Sequence, residues 1–356
     1  MAERGEMPMR SQRGYHSYRG RRNVGKVALV VLLVLILVLA GAYLFLQDHI
    51  VYESDGSIHV DLPFFQREEP SADLAGEEDV PPVEILHGEE GGQASEPLIA
   101  QSLSAADLCD TAADALLTLE ADCNGVVVEV KEDNGFFHYT TEHARQGATA
   151  EDAVGRSRLQ DALAAAEAEG LRTIARMNCF HDSFFAYSNM AGAGICQSSG
   201  YIWYDNRSSY WIDPSKEAAQ EYLYAVAEEC VAMGFDELLL TEFTYPTEGN
   251  LSQIDYSEMT TTKEEALSAF LTGLRETVGD GTAISIELTE ELILAGSDET
   301  AGLVLSELIP LVDHIYVAAE DEQAVLAAVE AAGAEQAEDL IVWERPDRYV
   351  SASAEE

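Results

Sequence analysis

From Pro97 onward, apolar runs of strand length alternate with segments of helical periodicity. That alternation admits few folds, because a strand followed by a crossover helix builds a parallel sheet. The expected strands are Pro97 to Leu103, Gly125 to Lys131, Thr173 to Cys179, Asp236 to Phe243, Ala283 to Leu288, His314 to Ala319 and Leu340 to Glu344. The expected helices are Ala105 to Glu120, Arg156 to Glu169, Lys216 to Met233, Lys263 to Val278, Thr300 to Ile309 and Glu322 to Ala332. Gly170, Gly234 and Gly333 follow three of these helices, where a left-handed cap would sit. Such a series over about 250 residues predicts an α/β fold, a TIM-type (β/α)8 barrel, with a doubly wound open sheet as the alternative. Seven strands are visible, so either the eighth lies between Phe180 and Asp213 or the barrel is incomplete.

Upstream the chain changes character. Seven of the 20 Lys and Arg lie in residues 1–26. The remaining 330 residues carry 13 basic against 63 acidic side chains, a formal balance of −50. So acidic a surface repels nucleic acid, because it adds like charge to a polyanion instead of releasing its counterions. The run Val27 to Leu46 (VALVVLLVLILVLAGAYLFL) holds no charge, and at ~1.5 Å per residue it spans ~30 Å, a bilayer core. A membrane anchor over 27–47 is expected, with a cleaved signal peptide as the competing reading. The basic flank holds the N-terminus in the cytoplasm and leaves the rest outside, so the lipid bilayer is an expected partner and the cell membrane the expected location. Residues 48–96 read as a short hairpin around Ser54-Asp55-Gly56-Ser57 and then an acidic, Pro- and Gly-rich stalk. The expected barrel covers 97–346, with an acidic tail at 347–356.

In such a barrel the working groups sit at the C-terminal ends of strands. Period two puts Val127, Glu129 and Lys131 on one face of their strand, Ile174, Arg176 and Asn178 on another, and Ser285 and Glu287 on a third. Charges inside apolar strands are costly unless paired or functional. Glu129, Lys131 and Arg176 therefore form either part of a site or a buried ion-pair network. The stretch Phe180 to Asp213 holds Phe184, Phe185, Tyr187, Tyr201, Trp203, Tyr204, Tyr210 and Trp211. It suits a platform for sugar rings, or a mini-core of its own. Five cysteines carry no C-x-x-C spacing, and Cys179 with Cys196 is the pairing an extracellular location would allow. No phosphate loop, dinucleotide fingerprint or His cluster is present, so neither metal nor cofactor is expected.

Four blocks resemble the "putative glycosyl hydrolase domain" family: NGVVVEVKEDNG, TIARMNCFHD, YWIDPS and GFDELLLTEFTYP, in the family's order and spacing. The resemblance covers roughly Pro97 to Pro346 and implies a (β/α)8 barrel with a polysaccharide substrate. It puts Glu129 at the family's first acidic position and Glu287 at a later one. It also brings in Asp182 and Arg176 as substrate-orienting groups, and Trp211 and Tyr245 as aromatic contacts beside Lys131. The departures include the fourth block, where Thr241 and Thr244 stand in place of an Asp and an Arg, and HIYVAAED, which no longer matches the family's later block. Glu242 replaces the missing carboxylate only if its strand bulges or has already ended, since neighbours on a regular strand face opposite ways. Glycoside hydrolysis needs two carboxyl groups about the scissile bond, and Glu129, Glu242 and Glu287 are the candidates. The expected function is thus a membrane-anchored, extracellular hydrolase-like protein that acts on or binds cell-wall or other polysaccharide. A glycan-binding pseudoenzyme is the alternative, and a sensor head is a third reading for which the 26-residue tail leaves no signalling domain.

Overall fold

The computed structural model describes residues 50–52, 58–60, 97–113, 119, 122–346 and 348–354. The basic tail, the apolar run Val27 to Leu46 and most of the stalk lie outside these. Among the described residues no helix is long and apolar enough to cross a membrane. Ile50–Tyr52 pairs antiparallel with Ile58–Val60, matching the hairpin expected around Ser-Asp-Gly-Ser.

The second unit, Gly88–Glu356, is a closed eight-stranded α/β barrel, and all seven expected strands are in it. They are β1 (Ile99–Ser104), β2 (Gly125–Lys131), β3 (Arg172–Asn178), β4 (Glu237–Thr241), β5 (Ala283–Glu287), β6 (His314–Val317) and β7 (Ile341–Glu344). Neighbours in this series pair in parallel. The eighth strand is neither missing nor in the Phe180–Asp213 loop. It is β8 (Arg348–Ser351), inside the segment expected as an acidic tail, and it runs antiparallel to both β7 and β1. The reason is the link: residues 345–347 are too few for a parallel crossover, which takes a dozen or more, so the chain can only turn back.

Parity along β2 shows how sequence becomes layers. Val126, Val128 and Val130 face outward into the large core between strands and helices, while Val127 faces the barrel axis. The axis is filled by Leu98, Ala100, Val127, Ile174, Leu239, Tyr316, Val342 and Tyr349, a packed plug and not a pore. Outside lie the helices α1 (Ala105–Ala113), α2 (Arg156–Ala168), α3 (Glu217–Met233), α4 (Lys263–Val278) and α5 (Glu322–Ala331). On α4 the stripe Ala266, Leu267, Phe270, Leu271 and Leu274 is buried, the spacing of one helical face. Its start is fixed by a capping box in which Thr262 and Glu265 satisfy each other's backbone N–H, a device that contributes about 1 kcal/mol. Gly234 ends α3 at φ 107°, the left-handed cap that its position suggested. The expected helix Thr300 to Ile309 is mostly absent. There Ser297–Asp298 pairs with Leu303–Val304, and only Leu305–Leu308 is helical.

Beneath the apolar plug lies a polar floor. Glu237, fully buried, accepts hydrogen bonds from Ser285 Oγ at 2.6 Å and Tyr316 OH at 2.9 Å. His314 Nδ1 lies 3.1 Å away and Arg172 pairs with its other oxygen at 3.0 Å. Burial pushes the Glu237 carboxyl up, but the His314 and Ser285 hydrogen bonds and the Arg172 charge outweigh it and hold the pKa down at about 2.

Candidate active site

At the opposite end of the axis, the C-terminal ends of the strands bring acids and arginines together. Arg176, from β3, is the hub. Its Nη1 donates to Glu129 Oε1 at 2.7 Å and its Nη2 to Glu287 Oε2 at 2.9 Å. Three strands expected to converge do so, through one guanidinium whose flat fork holds one carboxylate on each side. Glu344, at the end of β7, joins them. Its carboxyl is pushed up by burial and by the charge of Glu287, against Arg176.

Glu242 meets the condition set for it. β4 ends at Thr241, and Glu242 has φ 47°, a left-handed conformation that a non-glycine residue adopts only at a cost. Thr241 itself shares the inward face of Glu237 and Leu239 and is buried. The left-handed turn brings Glu242 to the same mouth, with its side chain 28% exposed and Arg207 Nη2 3.9 Å away. Burial first, then the charges of Asp133, Glu287 and Asp205, raise its pKa to about 7 against the pull of Arg207. It is thus a carboxylic acid that is substantially protonated at neutral pH.

Around Arg207 is a second group that the sequence did not single out. Asp133 lies 3.6 Å from Arg207 Nη1 and accepts from Asn178 Nδ2 at 3.1 Å. His181, buried and stacked on Trp211 at 4.7 Å between ring centroids, has its Nδ1 3.4 Å from Arg207 Nη2. Burial and the Arg207 charge lower the His181 pKa, against the pull of Asp133 and Asp205. Asp205 is held by the backbone N–H groups of Arg207 and Ser209 at 2.8 and 2.9 Å and by Trp211 Nε1 at 3.1 Å. Asp133, His181 and Glu242 each bring one ligand atom within 4.8 Å of the others. The Arg207 guanidinium lies among them, so that space already holds a cation.

Four other expected positions are not at an open surface. The register of β2 shifts between Glu129 and Lys131, which separates two residues expected on one face. Glu129 reaches the mouth, whereas Lys131 is fully buried and pairs with Asp182 at 2.9 Å. Tyr222 OH donates to the same Asp182 oxygen at 2.9 Å, and Lys131 Nζ donates to the Asn178 carbonyl at 2.9 Å. Gly135, at φ 88°, covers the pair so closely that a Cβ there would sit 2.2 Å from Asp182 Oδ1. Lys131 and Asp182 are therefore a buried structural pair, not substrate contacts. Trp211 is 5% exposed and spends its faces and N–H inside the loop, and Tyr245 is buried with its OH 3.4 Å from Asp213. The aromatic loop divides: Phe185, Trp203 and Trp211 are buried in the large core, with Phe185 stacked on Tyr222 of α3, while Tyr187, Tyr201 and Tyr204 are exposed. Cys179 and Cys196 remain thiols and do not pair.

Of the residues missed, Glu344 was legible, since it follows the axis-facing Val342 by two on the same strand. Asp133 lies within the block NGVVVEVKEDNG itself. Arg207 and Asp205 carry no signal, because they reach the mouth from a loop.

A closed α/β barrel with acids gathered at the strand ends is the architecture of a glycosidase-like protein. The chain belongs to the family described as "Putative glycosyl hydrolase domain", whose pattern it matches over residues 102–318. No curated protein matches it. Among solved structures it is similar to a hypothetical protein from Ruminiclostridium thermocellum ATCC 27405, with 22% identity over 52% of this chain and 96% of that one, TM-score 0.44. It is also similar to a cycloisomaltooligosaccharide glucanotransferase from Paenibacillus sp., with 13% identity over 68% of this chain and 37% of that one, TM-score 0.47. A third is the GH20 exo-β-N-acetylglucosaminidase of Vibrio harveyi, with 13% identity over 66% and 40% of the two chains, TM-score 0.46. The chain therefore spans less than half the length of the last two.

Proposed function

We propose that the barrel mouth cleaves a glycosidic bond of an extracellular polysaccharide, with Glu242 as general acid. Glu242 gives its proton to the glycosidic oxygen as the bond from that oxygen to the anomeric carbon breaks. Glu287, whose Oε2 is taken by Arg176, uses its other oxygen either to attack the anomeric carbon or to take a proton from an incoming water. Glu129 braces Arg176 from the other side and keeps the guanidinium in place. The observation that carries this reading is Glu242: at a left-handed turn just past β4 sits an acid whose pKa is raised to about 7, in part by the charge of Glu287, a carboxylate that Arg176 holds.

One feature favours binding without cleavage. Thr241 and Thr244 stand where the family pattern has an Asp and an Arg, and Thr244 Oγ1 is turned to the Tyr245 carbonyl at 2.8 Å. Release of reducing ends from a panel of wall and matrix glycans by the full chain separates the two. Cleavage that disappears in Glu242→Gln and Glu287→Gln supports catalysis, whereas retention of a glycan with no cleavage leaves only the binding role.

The location is part of the proposal. The uncharged run Val27 to Leu46 behind a basic flank supports a single-pass anchor that holds the head outside the cell. Protease added to intact cells would then degrade the head, and a head digested only after lysis contradicts the orientation.

A further inference from the structure

A cleft of about 970 Å³ lies between the Phe180–Asp213 loop, residues 255–261 and the starts of α3 and α4. We propose that this cleft binds a stretch of neutral polysaccharide, leading one arm of the chain to or from the mouth. The inference rests on the glycan reading above but not on cleavage.

Four features point to that ligand. Its volume is at the upper end of small-ligand sites, room for more than one sugar ring. Its wall carries Tyr187, 62% exposed, whose ring is stacked on Tyr210 at 5.8 Å between centroids and 24° between planes. A ring backed by another ring and open on its outer face offers a flat apolar surface to the CH face of a pyranose. Tyr256 lines the cleft too, and its hydroxyl is shielded from solvent yet has no hydrogen-bond partner among the described residues. A shielded hydroxyl without a partner is costly, and a sugar hydroxyl would supply one. The rest of the wall mixes amides and hydroxyls, such as Asn189, Gln197 and Thr260, with the acids Asp213, Glu217, Asp255, Glu258 and Glu265 against one cation, Lys216, whose Nζ donates to the Gly194 carbonyl at 2.7 Å. These acids repel uronic or sulfated chains and leave neutral sugars as the fitting class.

The cleft is coupled to the mouth through Tyr245. That residue follows Glu242 by three, so its Cα lies within about 11 Å of the Glu242 Cα by chain length alone. Its ring packs edge-on to Tyr256 at 5.8 Å, and its hydroxyl donates to Asp213, which lines the cleft floor. This also relocates the sugar platform anticipated on Trp211: the stacking surface is on the same loop, at Tyr187.

The test is calorimetric titration of the full chain, carrying Glu242→Gln to stop turnover, with the disaccharides and hexasaccharides of β-1,4-linked glucose and of β-1,4-linked N-acetylglucosamine. At least one hexasaccharide should bind more tightly than its disaccharide. Tyr187→Ala should weaken that binding about tenfold and Tyr256→Phe about fivefold, while Tyr204→Ala, exposed but not part of the cleft wall, should not change it. Neither cleft variant removes buried packing, so both should fold. Unchanged affinity in both overturns the proposal, as does the absence of binding by either hexasaccharide. Tighter binding of a hexuronate overturns the neutral class. Cleavage by the wild type with unaltered binding in the cleft variants removes the cleft and keeps the mouth. Binding that follows the cleft variants, with no cleavage by the wild type, does the reverse.

Discussion

The two ends of the barrel axis carry the same kind of residue in opposite conditions. At the floor, Glu237 is fully buried and has four partners at 3.1 Å or less. At the mouth, Glu242 is only partly shielded, with 28% of its side chain exposed, and its nearest cation is 3.9 Å away while three other acids press on it. The first carboxyl is held down at about 2 and the second raised to about 7. Burial pushes both upward, so the difference lies in the donors. A buried carboxylate whose lone pairs are satisfied is part of the frame, and one left with acids for neighbours is a proton source.

Mutations at the two ends should break along this line. The largest effect is expected from Glu242→Gln, a loss of glycan cleavage of about 10²- to 10⁴-fold with no loss of stability, read from steady-state rates and thermal unfolding. Glu237→Gln should do the reverse, costing about 3 kcal/mol in urea unfolding by leaving Arg172 and its neighbours without their anion, while activity per folded molecule survives. Lys131→Met should resemble the floor variant and not the mouth variant, because it strands Asp182 inside; a mere rise in KM with full stability would return Lys131 to the site.

The pH dependence of stability sharpens the comparison with its sign. Glu237 has a folded pKa below its unfolded value of about 4.5, so its contribution is full above about 4.5 and lost as pH falls toward about 2. Glu242 has a folded pKa above about 4.5, so its protonated form is favoured in the fold and its contribution declines as pH rises from about 4.5 to about 7. Unfolding free energies of the two Gln variants, subtracted from the wild type across this range, should slope in opposite directions. The smallest effect is on Arg207→Gln, which removes the cation that lowers Glu242. The alkaline limb of the rate profile should move upward, and an unmoved limb would mean that Arg207 does not act on Glu242.

Much of the barrel was legible because β2 and its counterparts are short, largely apolar runs separated by segments long enough for crossovers. The eighth strand was not, since Arg348–Ser351 is four residues long and its role comes from ring closure, a property of the whole sheet. The Glu129, Arg176 and Glu287 cluster was readable by parity alone. Lys131 was misplaced by one register shift, and Glu242 depended on where β4 stops, a difference of one residue that alternation cannot resolve. Trp211 shows a further limit: composition finds an aromatic loop but not which rings pack inward.

The most direct test of the account is the pH–rate profile of glycan cleavage by the full chain beside that of Glu242→Gln. The account predicts wild-type activity that falls as pH rises through about 7, and a variant about 10²- to 10⁴-fold slower whose residual activity lacks that alkaline limb. Cleavage that persists in Glu242→Gln with the same alkaline limb would contradict it.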